Sequence, residues 1–521
     1  MLPPEDIDAL NILVQSAVEP ATEFLIKDIA RRISEAGKFT STAAYQMFKA
    51  QELGKSQKKI IKRLSKILDM SEKDIKKLIE KSAQEGYSYD VSRLGKKGIP
   101  FKDNESLQQI LKAALKLAED DFKNITQTLG MIDPFGNPMP LKDAYNSYCD
   151  YAFNLVSTGA ADYNTAIARA CKALAEKGVR FVDYESGIST SLEAAVRRNI
   201  MGGLGLMQEK ISQENHDSLG ADGWEISAHA MCAPDHEPIQ GRQYTDEEYR
   251  KLNESLTRRI GTLNCGHAAF PIKIGVSKPV YTDEQLEKFK SDNKEGVTYE
   301  GRHYSLYEAT QKQRRIERTI RTQKRRILAL ESAGITDDLQ IAQIKYRRLN
   351  EEYERFSKAV GLKTKWERSY VEGFTPKHGK AAAKAYEIEK IKKEEYNRTC
   401  NKIKEDIKSK NLKLNIGNQN KHIRSSKGYK DKSYILFTLD EAQELVNKYH
   451  GKGEIKLDRN MNWSNKEFVM TDSVIGAVVD SETKEETFTR RFSIHYGKRG
   501  THIVPAKEKR YEDKSSRRQK G

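Results

Sequence analysis

Apolar residues in the first eighty positions recur at helical spacing: Ile7, Leu10, Val14 and Val18, then Ile60, Leu64 and Leu68. That step of three to four residues puts them on one helix face. In MSEKDIKKLI, Ser71 with Asp74 three residues on predicts an N-cap and a fresh helix. A polar, glycine-containing gap near 86–99 follows, and helical patterns resume over 104–129, 141–157, 161–177 and 189–214. Turn chemistry such as DPFGNP at 133–138 separates them. This part reads as an all-α scaffold without chemistry of its own.

The segment 218–280 loses the helical period and is richer in Gly, Pro, His and Cys. Two helical arms follow, 306–331 and 339–361. In the second, Ala342, Tyr346, Leu349, Tyr353, Phe356 and Val360 step by four and three, a coiled-coil-like seam. The interruption SAGITDD at 332–338, with Thr336 as N-cap, predicts an antiparallel helical hairpin. Charged helix from about 380 to 411 reads as a linker.

The last hundred residues are patterned differently. TLDE at 438–441 is a capping box opening a helix with Leu439, Ala442, Leu445, Val446 and Tyr449 inward, ended by Gly451. Strand-like runs follow: KEFVM at 466–470, VIGAVV at 474–479, TFTRRFSIHY at 487–496 and THIV at 501–504. The fold class expected is therefore mainly α in residues 1–400 with an irregular His/Cys loop region, then a C-terminal α+β domain with an antiparallel sheet.

Charge sharpens this picture. The 521 residues carry a formal charge of +16, unevenly spread. KQRRIERTIRTQKRR at 312–326 holds eight Lys/Arg against Glu317 alone, and the tail from Lys498 holds nine basic residues against three acidic ones. Such runs favour an anionic partner, nucleic acid or an acidic protein face; the bland alternative is a solvated helix face and a frayed tail. MLPPEDIDAL lacks the basic start and apolar block of a signal peptide. No apolar run reaches the length of a membrane span. Five scattered cysteines do not suggest a disulfide framework, which points to folding in a reducing compartment.

Two groups of residues carry candidate chemistry. SAHAMCAPDHEPIQG supplies His229, Cys232 and His236 at H-x2-C-x3-H spacing, and LNCGHAAF supplies Cys265 and His267. The expectation is a zinc ion, structural rather than catalytic, held by the first three plus one of the last two, because a single residue between Cys265 and His267 is tight for two ligands. The alternative is ordinary loop residues with hydrogen-bonded imidazoles. The second group is FSIHYGKRGTHIVP at 492–505, a strand-turn-strand with one histidine on each strand. With a two-residue turn at Arg499-Gly500, His495 faces Val504, Gly497 faces His502, and both imidazoles lie diagonally on one face. A three-residue turn sends them to opposite faces.

A metal-free nuclease needs a base, an acid and cations for the developing phosphorane charge. The C-terminal block offers Lys421, His422, Arg490, Arg491, His495, Lys498, Thr501 and His502, and no clustered carboxylates to hold Mg²⁺. RNA is the better substrate guess, because its own 2′-OH can be the nucleophile.

Resemblance adds to both groups. STGAADYNTAIARACKALAEKGV, SLEAAVRRNIMGGLGLMQEKI, and WEISAHAMCAPDHEPIQGRQYT followed by IGTLNCGHAAFPI resemble the minor capsid proteins of tailed phages, the minor capsid protein 2 family, related to Mu-like head morphogenesis proteins. The arm YEATQKQRRIERTIRTQKRR and the later VGL are similar to it as well, and the likeness covers roughly 1–375. It implies a low-copy virion component near the portal, bound during procapsid assembly in the host cytoplasm. NQNKHIRSSKGYK, AQELVNKYHGKGE, KEFV, IGAVVD and FSIHYGKRGTHIVPA resemble the polymorphic toxin type 50 domain across roughly 415–508. That resemblance implies a barnase/EndoU/colicin/RelE-like nuclease fold needing no cofactor. It also implies a site of Lys421, His422, His495, Thr501 and His502, with Lys498 alongside.

The expected organisation is a helical portal- and capsid-associated domain at 1–216 and an irregular His/Cys region at 217–300. A hairpin arm and linker occupy 301–411, a toxin-like nuclease domain 412–510 and a basic tail 511–521. The partners expected are portal and capsid proteins, an RNA substrate, phage DNA and an immunity protein. The competing reading is a purely structural minor capsid protein whose C-terminal domain binds nucleic acid or a partner without catalysis.

Overall fold

The computed structural model describes residues 4–95, 98–182, 189–261, 265–429 and 432–508. The basic tail beyond Glu508 lies outside them. The chain divides into two compact units, Met1–Tyr386 and Glu387–Gly521.

The first unit is mostly helical. One hydrophobic core runs from Val14 to Ala382 and joins Glu19–Ala36, through Leu25, Ile29 and Ile33, to the hairpin of Leu306–Ala333 and Thr336–Ala359. Ala342, Tyr346, Tyr353, Phe356 and Val360 are buried in that core, so the second arm packs along its seam face. Leu306–Ala333 also packs on Glu19–Ala36 and Tyr163–Lys177, which makes it a central element instead of a projecting arm. Its basic run is partly internal. Arg325 is buried against Glu19 and Glu193, Arg326 reaches Asp338, and Lys324 donates to the carbonyl of Ser369.

Three local readings are corrected. Ser71 is not an N-cap: Gly54–Leu94 is one helix through it, and its hydroxyl is buried, donating to the carbonyls of Ile67 and Ala17. The glycine-containing gap near 86–99 is helical as far as Leu94. Gly86 leaves room there for Gln208, which donates to the Ser82 carbonyl; a Cβ would fall 1.9 Å from Gln208 Oε1 and push that side chain aside. Thr336 is the first helical residue, behind Ile335 at the cap, while Gly334 at φ +73° closes the preceding helix.

Strands of three and four residues escaped the sequence pattern, since alternation needs a longer run. Pro138–Pro140, Leu129–Ile132, Val179–Val182 and Ser189–Ser191 form a four-stranded antiparallel sheet in that order. The irregular region contains another, Gln243–Thr245, Gly223–Ile226 and Ala269–Ile272, with Gly223–Ile226 central.

The second unit is α+β. The stretch read as a linker is the helix Pro376–Lys408, whose last turns carry Cys400, Ile403 and Ile407 into this unit's core. Leu439–Tyr449 has the expected capping box between Thr438 and Glu441, with Ala442 and Val446 buried. Glu454–Leu457, Trp463–Met470, Arg491–Gly497 and Gly500–Pro505 pair antiparallel in sequence order. Tyr434–Ile435, Gly476–Val479 and Glu486–Thr489 make a second sheet. TFTRRFSIHY is thus not one strand: it breaks at Arg490 and serves both sheets.

Candidate functional site

Alternation along Arg491–Gly497 puts Phe492, Ile494 and Tyr496 in the core and leaves Ser493 and His495 on the other face. The observed register pairs His495 directly with His502 and Gly497 with Gly500. The turn is therefore Lys498-Arg499, neither of the two turns expected. It differs from the two-residue alternative by two residues, so both histidines keep one face. The cause lies outside the hairpin. Lys413–Asn415 docks on the strand Gly500–Pro505, with Thr501 N–H donating to the Lys413 carbonyl and Asn415 N–H to that of Thr501. A Cβ on residue 500 would stand 2.3 Å from the Lys413 oxygen, which fixes Gly500, at φ +114°, beside the docked segment.

Three imidazoles gather as a result. The rings of His495 and His502 lie 4.6 Å apart at 63°, and that of His422 lies 6.0 Å from His502, nearly parallel. His422 sits at the end of the turn Asn420–His422, clamped by the preceding Gln419. The buried Gln419 amide accepts from Ile503 N–H (2.7 Å) and donates to Ile503 C=O (3.1 Å), completing the outer edge of the strand. Nδ1 of His422 donates to the Ser433 carbonyl at 2.7 Å, which leaves Nε2 as a lone pair. With Ser493 donating its hydroxyl proton to the Val504 carbonyl, its oxygen accepts from Nε2 of His495 at 2.9 Å.

The electrostatics are uniform in sign. Burial, then His502, Lys466 and His422, push His495 down to about 3. Burial, then His422, Lys421 and Lys466, push His502 down to about 4. His422 is lowered as well, by burial first. All three are neutral at pH 7, and a phosphodiester entering this field would favour protonation of one of them.

Of the residues expected at the site, His422, His495 and His502 come together, with Lys421 held by Asn418 beside them. Thr501 does not join them. It is fully buried on the core face opposite Tyr496, and its hydroxyl donates to the Leu412 carbonyl. Lys498 lies in the turn. Arg491 is turned to Glu454 and Arg490 to Glu508. Lys466 was missed, although its strand was recognised: it stands directly opposite His495, a partnership visible only once register is known.

In the first unit the five His and Cys residues also converge. Nδ1 of His236 and Nδ1 of His267 are 3.4 Å apart, and each lies 3.3–3.5 Å from Cys265 Sγ. A tetrahedral zinc with bonds of ~2.0–2.3 Å sets its ligand atoms ~3.3–3.8 Å apart, so this triangle has the edges the ion requires. Both imidazoles donate from Nε2, His236 to the Arg258 carbonyl and His267 to Gln240 Oε1, which frees both Nδ1 atoms for a metal. A second group, His229, Cys232 and His267, shares His267 through Nε2, where Cys232 Sγ stands 3.4 Å away. The grouping departs from expectation: Cys265 and His267, thought too close to share an ion, both belong to the first triad, and Cys232 lies on the far side of the His267 ring.

Residues 4–358 match the family described as phage minor capsid protein 2. The chain belongs to that family. Residues 414–505 match bacterial toxin 50, so this minor capsid family member carries a bacterial toxin domain. No curated protein and no solved structure matches the chain. Among the described residues no helix is long and apolar enough to cross a membrane.

The depressed imidazoles of the toxin domain predict an acid-sensitive fold. Unfolding returns His495 and His502 to their ordinary 6.5, so the unfolded chain binds the extra protons. Their stabilisation is fully present above about pH 6.5 and is lost as pH falls through the folded values. By scanning calorimetry, the second unit's transition should hold steady above pH 7 and drop between pH 6.5 and 4, with a shallower drop in His502→Ala. Identical pH profiles for variant and parent would contradict the depressed values.

Proposed function

We propose that the toxin domain is a metal-independent endoribonuclease with a barnase/EndoU/colicin/RelE-like fold, carried by a portal-proximal component of the virion. The observation that supports it is the meeting of His422, His495 and His502 on one face, with Lys421, Lys432 and Lys466 as charged side chains acting on them. Among the described residues, both groups with metal-ligand spacing lie in the first unit. His422, fixed by Ser433 with Nε2 unprotonated, takes the proton of the ribose 2′-OH. The 2′-oxygen attacks phosphorus, the bond to the 5′-oxygen breaks, and His502, protonated once the phosphate is bound, gives that oxygen its proton. A 2′,3′-cyclic phosphate and a 5′-hydroxyl result. Lys421 and Lys466 stabilise the phosphorane charge, and His495 flanks His502. Thr501 serves by position, anchoring the strand of His502 to Leu412.

The full chain should cut RNA in EDTA, and His422→Ala and His502→Ala should each slow cutting by about 10²–10⁴-fold, the usual weight of one acid or base. Undiminished cleavage by both variants would remove the proposal.

The capsid role rests on the family match over residues 4–358. Portal and capsid proteins are its partners during assembly in the host cytoplasm, packaged DNA its neighbour, and an immunity protein the guard of the producing cell. Mass spectrometry of purified particles should find this chain at low copy; its absence from both virions and procapsids would refute the assignment.

The first unit's metal, in this reading, is zinc on His236, Cys265 and His267. All three line a cavity, and three protein ligands are one fewer than a closed structural site uses. Zinc would tie the Cys232–Gln240 turn to the Arg258–His267 segment. Elemental analysis of the full chain should give near-stoichiometric zinc, strongly reduced by Cys265→Ser and kept in Cys232→Ser. The reverse order of effects would assign the ion to the His229 group.

A further inference from the structure

The cavity beside the His/Cys cluster encloses about 860 Å³, within the first unit. That is the size of a small-molecule site and far too small for a turn of duplex. Its walls come from Leu192–Leu219 and Leu306–Ala333. Arg314, Arg318 and Arg321, four and three residues apart, form one stripe of the second helix facing the cavity. Arg197 faces it from the first.

Three of these guanidiniums, Arg197, Arg318 and Arg321, are poorly matched within the protein. Burial, then the other arginines, lower Arg197 and Arg318, and burial lowers Arg321. Among the described residues, no carboxylate forms an ion pair with Arg197, Arg318 or Arg321. Two acids line the cavity: Glu193 pairs with Arg325, while Glu317 accepts from Tyr353, pairs with Arg368 and offsets part of the charge of Arg318 and Arg321. Arg321 donates to a neutral acceptor, the Arg368 carbonyl. Like charges gathered in excess of their counter-charge cost stability unless a ligand supplies the anion.

The chemistry of that anion follows. Several planar donor forks around one space suit a phosphoryl group, which accepts bidentate bonds from more than one side. The same cavity presents the ring of Tyr307 and the apolar side chains of Met201, Leu204 and Leu362, a surface on which a base can lie.

We propose that this cavity binds a nucleoside phosphate, its phosphate held by Arg197, Arg318 and Arg321, either as a free nucleotide or as the phosphorylated end of a single strand. The site is independent of the nuclease reading, because its residues all belong to the first unit.

The test is titration calorimetry on the full chain with three probes: inorganic pyrophosphate, ADP, and a 5′-phosphorylated DNA tetranucleotide compared with its 5′-hydroxyl form. Pyrophosphate should bind, and ADP should bind more tightly. A tetranucleotide that binds better than ADP and needs its 5′-phosphate assigns a strand end; the reverse order assigns a free nucleotide. Arg197→Gln and Arg318→Gln should each weaken binding about tenfold or more, the ordinary loss for a charged hydrogen bond. Without probe, Arg318→Gln should melt no lower than the parent, because it relieves repulsion, and Arg318→Lys should stay folded yet bind more weakly. The proposal falls if no probe binds, if the arginine variants bind as the parent does, or if Arg318→Gln melts lower without probe, which would mark that guanidinium as structural.

Discussion

The toxin domain's site depends on one buried amide. Gln419 gives the strand Gly500–Pro505 the hydrogen bonds that a neighbouring strand would give, closing both the N–H and the C=O of Ile503. Removing it would leave two buried backbone groups unsatisfied, each worth about 1–3 kcal/mol. The same contact sets the distance of His422, three residues on, from His502 on the strand it clamps. Thr501 works beside it, with its hydroxyl on Leu412 and its backbone on Lys413 and Asn415. Together they hold an irregular segment to a regular edge, so a histidine from a loop meets two from a hairpin. A buried residue of the toxin motif thus has a physical role without touching a substrate.

The opposite face of the sheet must tolerate what this arrangement demands. Glu467, fully buried, accepts from Tyr496 and from the backbone N–H groups of Gly451 and Gly453. It fastens the end of Leu439–Tyr449 to the central strands and lies on the face away from the histidines, since neighbours along a strand alternate. Those donors hold its carboxylate on the core side of the strand. Lys466, one residue earlier, therefore acts on His495 without a carboxylate between them, and the imidazoles stay neutral until an anion arrives.

The sequence was most informative where pattern is long. Helices at 141–157 and 163–177, the Thr438 capping box and the grouping of strands near the C-terminus all follow from periodicity and local chemistry. It misled where tertiary contact overrides a local signal. Ser71 looks like a cap but donates to Ala17, fifty-four residues away, and Gly86 looks like a break but makes room for Gln208. The His/Cys cluster was legible as a set and not as a partition, because spacing does not say which ring nitrogen faces which sulfur. For the hairpin, residue identity gave the two histidines, while their direct pairing needed the Lys413–Asn415 segment, which no local turn rule contains. Lys466 was invisible for the same reason.

The basic run at 312–326 shows why net charge along a sequence is a poor guide to what the charges do. Helical geometry sorts that run by face. Arg325 and Lys324 turn inward to buried acceptors, and burial pushes the Lys324 ammonium down to about 8. Arg318 and Arg321 take another face, lining the cavity, where Glu193 is engaged by Arg325 and Glu317 by Tyr353 and Arg368. A solvated face would have left these side chains to water and counter-ions at little cost. Enclosing them around a cavity instead concentrates positive potential in a low-dielectric space, where it acts on an entering anion far more strongly than the same charges would on a surface.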